Sequence, residues 1–336
     1  MDHAARKNFS ATGRLMQCVG GALLALAPFV VQGGTASEES AHRWLAKMAE
    51  AIRTLNYDGT FVYRNEDRME SMRIIHRASP GEERERMFSL TGTPREVLRD
   101  KNKVTCILPD SQSVVVVKSR PRSVALHVFD PQEGFTRFYR LSAHAGERVA
   151  GRKTTRVSVQ PIDEYRYGYR LWLDQLTGLL LKSELVSEQG KALEQIVYTN
   201  IRLPAHIPDD LLAPAISGEG YTWYSNDYPV SRTASTRPGD QWVVTWVPKG
   251  FEVSDRIYDP SSVSRNPVEH LVYSDGLAKM SVFIELLDDA KESLLGPSGM
   301  GAINAYGSVI GDYQVTVVGE VPEITVEKVG QSVRRR

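Results

Sequence analysis

The chain of 336 residues holds only two cysteines, no net charge and, past position 36, no long apolar run. Two cysteines cannot build a disulfide scaffold. Basic and acidic side chains number 41 each, so no field of one sign draws nucleic acid, and the basic clusters are short and broken by glutamate. Beyond the N-terminal segment, nothing approaches the ~18 consecutive apolar residues that a membrane-spanning helix needs. Catalytic signatures are also missing. There is no P-loop, dinucleotide fingerprint or H-E-x-x-H, and Gly296-Pro297-Ser298-Gly299-Met300 puts methionine where a nucleophile elbow needs its last glycine. His42, His76, His127, His144, His206 and His270 lie scattered without ligand spacing or neighbouring cysteine. The expectation is a globular protein with no catalytic residue, no metal and no cofactor, and no nucleic-acid partner.

What is present begins with a leader. Arg6, Lys7 and Arg14 precede the apolar stretch Leu15 to Val31, and Gly34-Thr35-Ala36 supplies small residues for cleavage. This pattern reads as a secretory signal peptide over residues 1–36, cut after Ala36, with Gly20, Gly21 and Pro28 weakening it as an anchor. Cys18 leaves with the leader. Cys106 remains in the alternating run Asn102 to Leu108, where a thiol serves as a small buried hydrophobe. The mature chain is expected outside the cytoplasm.

From Ser37 to Leu55, Ala41, Trp44, Leu45, Met48, Ile52 and Leu55 recur at helical spacing. A long strand series follows: Tyr57 to Tyr63, Met69 to Arg77, Glu85 to Leu90, Arg95 to Arg99, Val104 to Leu108, Ser113 to Lys118, Arg152 to Gln160, Gly168 to Asp174, Leu179 to Ser187 and Leu193 to Arg202. Short turns between them imply antiparallel hairpins. With one helix to cover it, such a sheet is expected to curl into a partly open barrel over residues 37–203. Residues 204–239, rich in proline, glycine and serine, read as a linker with a short helix near Asp209 to Ala213. Residues 240–336 read as a second, smaller α+β domain: strands, a helix over Gly299 to Ile310, and a last helix over Pro322 to Val333.

Several runs are recognisable as they stand. Trp44-Leu45-Ala46-Lys47-Met48, Leu55 to Tyr63, Gly92-Thr93-Pro94-Arg95-Glu96-Val97, Tyr169 to Asp174, Trp246-Val247-Pro248-Lys249-Gly250-Phe251, His270 to Leu277 and Val318 to Pro322 resemble the RseB/MucB family in order along nearly the whole mature chain. The likeness is greatest to the branch tied to alginate regulation in pseudomonads. It implies a periplasmic negative regulator of the envelope-stress sigma factor. Such a regulator binds the periplasmic part of a membrane-spanning anti-sigma factor of the MucA/RseA kind, protects it from regulated proteolysis, and is released by lipid or lipopolysaccharide. It also implies a larger domain similar to the lipoprotein carriers LolA and LolB, a curved antiparallel half-barrel over helices, and a smaller domain that grips the partner. Periplasmic transport of lipids or lipoproteins is the alternative use of such a half-barrel, but it leaves residues 240–336 without a role.

By residue type, the lipid groove is expected to draw on Trp44, Met48, Ile52, Phe61, Phe88 and Trp172, with Arg84 and Arg86 for anionic headgroups. Tyr258, His270, Tyr273 and Phe283 are expected on the partner surface. Exposed strand edges and an open apolar face also allow a homodimer.

Overall fold

The computed structural model describes residues 33–66, 68–79, 81–100, 103–118, 134–225, 242–259, 268–287 and 293–336. All but the last four residues of the expected leader lie outside the described residues. Helix α1 (Gly33–Thr54) begins four residues before the expected start at Ser37. Its apolar stripe is the expected one: Ala41, Leu45, Met48 and Ile52 are buried.

Twelve strands form one sheet: β1 (Tyr57–Asn65), β2 (Arg68–Ser79), β3 (Glu82–Ser89), β4 (Glu96–Asp100), β5 (Lys103–Leu108), β6 (Ser113–Lys118), β7 (Tyr139–Val149), β8 (Arg152–Pro161), β9 (Gly168–Asp174), β10 (Leu180–Val186), β11 (Ala192–Arg202) and β12 (Thr222–Ser225). Their order is β12-β6-β5-β4-β3-β2-β1-β11-β10-β9-β8-β7. The end strands β12 and β7 do not pair, so the sheet stays open, and α1 packs on one face to close the larger core. Adjacent residues separate cleanly by face. Ile74 joins the core beneath α1, whereas Ile75 joins a second cluster on the opposite face with Ile207 and Leu212.

That second cluster changes the reading of the proline-rich stretch. Residues 204–225 are strapped across the large sheet rather than free: Ile207 and Leu212 are buried, a short helix α2 (Asp209–Leu212) sits on β3, and β12 adds to β6 in parallel. Prolines leave this segment fewer backbone donors, and side chains of the sheet bind several of its backbone groups. The Arg77 guanidinium donates to the Ile207 carbonyl at 3.2 Å and Arg86 to the Leu211 carbonyl at 3.2 Å. The buried Glu96 carboxylate accepts from the Ala215 and Ile216 amides at 3.1 and 3.3 Å. Residues 226–241 of the expected linker lie outside the described residues.

The second sheet contains β14 (Glu252–Asp259), β15 (Val268–Ser274), β16 (Lys279–Leu286), β17 (Gly296–Met300), β18 (Ile303–Ile310) and β19 (Tyr313–Gly319), in the order β14-β15-β16-β19-β18-β17. Helix α3 (Glu323–Gln331) packs Val326 and Val329 on it, and β13 (Trp242–Val244) pairs with β20 (Val333–Arg335) beside it. The helix expected over Gly299 to Ile310 is instead the β17–β18 hairpin. Gly301, at φ +65°, makes its turn, and the alternation of Ala305, Gly307 and Val309 with Asn304, Tyr306 and Ser308 has a period of two, not 3.6. The last helix forms as expected, except that Val333 has already passed into a strand.

Candidate functional site

The residues expected to line one groove are divided between the two faces of the large sheet. Met48, Ile52 and Phe61 are buried together under α1, and Trp44 packs against the same core half-buried. Trp172 pairs across strands with Arg156 and Lys182, and the Lys182 ammonium lies 4.0 Å over its ring, so it shares their face. Phe88, Arg84 and Arg86 lie on the face opposite Phe61, with the Arg86 guanidinium 4.6 Å over the Phe88 ring. Neither arginine is left for a headgroup. Arg86 pairs with the buried Glu96, and Arg84 reaches Asp209 at 3.2 Å and Asp100 at 3.8 Å. Strand parity, which sends neighbouring residues to opposite sides, is the reason the grouping fails.

The expected partner surface divides in the same way. His270 and Phe283 stack at 4.2 Å on one face of the second sheet, and His270 Nε2 lies 2.9 Å from Ser281 Oγ. Burial pulls the His270 pKa down, against the opposing charge of Asp255. Tyr273, three residues along β15, points to the other face and is buried with Leu271 and Met280 in the core. The Tyr258 side chain lies outside the described residues.

The densest polar chemistry sits where the two sheets meet. Arg166, fully buried between β8 and β9, donates to Asp163 Oδ1 and Oδ2 at 2.9 Å each, to Asp275 Oδ2 at 2.5 Å and to the Lys249 carbonyl at 2.8 Å. Its guanidinium lies between 5.1 and 5.8 Å from the ring centres of Phe138, Tyr139 and Phe251. The other Asp275 oxygen accepts the amides of Leu277 and Ala278 at 2.9 and 2.7 Å. The Tyr139 hydroxyl donates to Asp275 at 3.1 Å, and burial followed by the charge of Asp275 drives the Tyr139 pKa upward. One cation thus joins residues of both sheets. Nearby, the Thr325 hydroxyl donates to the Tyr165 carbonyl at 2.8 Å, and Lys328 donates to the Tyr165 hydroxyl at 2.8 Å.

A second polar cluster crosses the same junction. The Tyr169 hydroxyl donates to Glu320 at 3.2 Å, and Asn304 donates to the Tyr167 hydroxyl at 3.0 Å. Asn65 donates to Glu194 at 3.0 Å, and the Gly301 amide donates to Glu66 at 3.1 Å. None of Arg166, Asp275, Glu194 and Glu320 carries a periodic signal; the only hint in the sequence is an arginine flanked by two tyrosines at 165–167.

Residues 40–216 match the MucB/RseB N-terminal domain, and residues 236–334 match the MucB/RseB C-terminal domain. The chain belongs to the MucB/RseB family. It is 35% identical over 305 residues to the sigma factor AlgU regulatory protein MucB of Pseudomonas aeruginosa, covering 87% of this chain and 90% of that protein. It is 27% identical over 314 residues to the sigma-E factor regulatory protein RseB of Haemophilus influenzae, covering 90% and 93%. The solved complex of P. aeruginosa MucA and MucB contains a chain with 33% identity and a TM-score of 0.69, covering 88% of this chain and 99% of that one. In MucB/RseB terms the junction joins the two family domains: Arg166, Tyr169 and Glu194 come from the first, Asp275 and Glu320 from the second.

Proposed function

We propose that this protein is an exported regulator of a sigma factor. It binds the periplasmic part of a membrane-spanning anti-sigma factor of the MucA/RseA kind and shields it from proteolysis; it is a binding protein, not an enzyme. The observation that carries this reading is the likeness, over 88% of the chain, to a structure of MucB held with MucA. The basic and apolar leader before residue 37 supports a place in the periplasm. Among the described residues no helix is long and apolar enough to cross a membrane, and no three His, Cys, Asp or Glu side chains gather to hold a metal ion.

Release by lipid or lipopolysaccharide belongs to the same proposal. The space beneath α1 is filled by Met48, Ile52 and Phe61, so an acyl chain entering there has to displace α1 from the sheet. A lipid that favours the displaced state and a partner that favours the packed state weaken each other by the same factor. We assign the lipid role to residues 37–203 and the grip on the partner to residues 240–336 together with the junction. The test is calorimetry of the chain lacking residues 1–36 against the periplasmic segment of its anti-sigma factor, repeated with anionic lipid. Binding that weakens with lipid is the expected result. Absence of binding overturns the regulator, and binding indifferent to lipid overturns the release mechanism.

A further inference from the structure

The face of the large sheet turned away from α1 is only half crossed. The strap leaves the end of β11, passes β2, β3 and β4 and ends on β12 beside β6, so β10, β9, β8 and β7 lie outside its path. Residues 204–225 contain Asp209, Asp210 and Glu219 and no lysine or arginine. Guanidinium groups of the sheet hold them: Arg77 and Arg84 reach Asp209 at 2.6 and 3.2 Å, and Arg77 and Arg86 donate to strap carbonyls. An extended acidic segment is therefore what this face already binds within the chain.

The uncrossed half offers the same donors. Arg64, Gln195, Glu184, Arg170 and Ser158 stand in one cross-strand row, and Lys182, Trp172, Arg156 and His144 in the next. Arg170 and Lys182 share Glu184 at 3.3 and 3.1 Å, and Lys182 also takes Glu147 at 2.7 Å. Among the described residues Arg64, Arg140 and Arg156 pair with no carboxylate, and Arg156 Nε is buried without a hydrogen-bond partner. Between Arg140 and Arg170 the surface sinks into a hollow of about 430 Å³, with Ser158 and Gln160 on its lining. Asp163 on that lining is taken by Arg166, which leaves the exposed Glu164 and Glu188 there against three unpaired arginines on this half of the face.

We propose that this half of the face docks an extended, acidic segment of a second protein, laid across β1 to β7 as the strap is laid across the other half. Arg64, Arg156 and Arg140 take its carboxylates, for which a guanidinium fork supplies paired donors, and Ser158 and Gln160 serve its backbone. Five strand spacings separate β1 from β7, about 24 Å. About seven extended residues span that distance. A membrane surface fits less well, because Arg64 and Arg156 are half-buried and Ser158 lies in the hollow, away from a flat array of headgroups. This docking does not depend on the anti-sigma reading above.

The test uses the full mature chain and a fluorescein-labelled peptide of alternating glutamate and serine, read by anisotropy at low salt. Wild type is expected to bind it, less tightly as salt is raised, and R64Q/R140Q/R156Q to bind it roughly tenfold more weakly. K153Q removes an exposed cation of β8 outside the two rows and is expected to bind as wild type does. Absence of binding overturns the proposal, as does a triple variant that binds like wild type. A K153Q variant as weak as the triple one overturns it as well, since net charge alone then explains the loss. Binding of phosphatidylglycerol vesicles through the same three arginines, with no binding of the peptide, gives the face to a membrane and overturns it too. R140Q alone, at an exposed side chain, is expected to lose about twofold; with far-UV circular dichroism as a check on folding, it carries the same comparison if the triple variant folds poorly.

Discussion

Arg166 is a buried cation whose partners come from both sheets, and its value lies in what would be left without it. With its guanidinium gone, Asp275 is fully buried with no opposing charge, while Asp163 keeps partial access to water. R166M is therefore expected to destabilise the protein by about 3–5 kcal/mol, the cost of breaking a buried pair from one side. Urea unfolding followed by tryptophan fluorescence measures this; a loss below about 1 kcal/mol would place the pair among those that solvent already screens. The two flanking tyrosines are all that marks this arginine in the sequence, because a lone charge has no period to read. The same holds for Asp275, whose partner Arg166 lies 109 residues away in the chain.

At the scale of elements, the strap over residues 204–225 shows how a segment without a hydrophobic pattern is fixed by the sheet it crosses. Glu96 accepts the Ala215 and Ile216 amides while paired with Arg86. E96Q keeps an acceptor but gives up its charge, so the two amides are expected to exchange roughly tenfold faster, with those of β8 and β9 unchanged. Hydrogen exchange by mass spectrometry resolves the two regions, and equal protection in the variant would show that Ile207 and Leu212 hold the strap alone. Most strands were legible because residues such as Leu171 and Leu173 alternate with Arg170 and Trp172. Strand β7 was not, because its alternation ends at Ala143 and gives way to Gly146 and Glu147. Strand β12 was hidden among glycines and prolines; it forms by lying along β6, a cause outside its own sequence. The grouping of site residues failed for the same kind of reason, since side-chain type does not reveal which face of a strand is covered.

For the whole molecule, the fit of the two sheets depends on a position without a side chain. Gly250 sits at φ +91°, and a Cβ there would fall 2.1 Å from Cζ of Phe138, which belongs to the turn entering β7. G250V is expected to lower the melting temperature, overpacking alone costing about 1–3 kcal/mol, while the far-UV spectrum stays that of a β-rich protein. An unchanged melting temperature would mean that Phe138 gives way freely. The order of strands carries one more consequence. Strand β1 lies in the middle of the large sheet and receives β11 on one side, where Arg202 pairs with Asp58 across 144 residues of chain. A polypeptide emerging N-terminus first can pair β1 through β6 as successive neighbours, but the other edge of β1 stays open until β11 arrives. Until then Phe61 and Tyr63 border a raw edge suited to capture by a foreign strand. A holding chaperone would find its task there, in the interval before the middle of the sheet is finished.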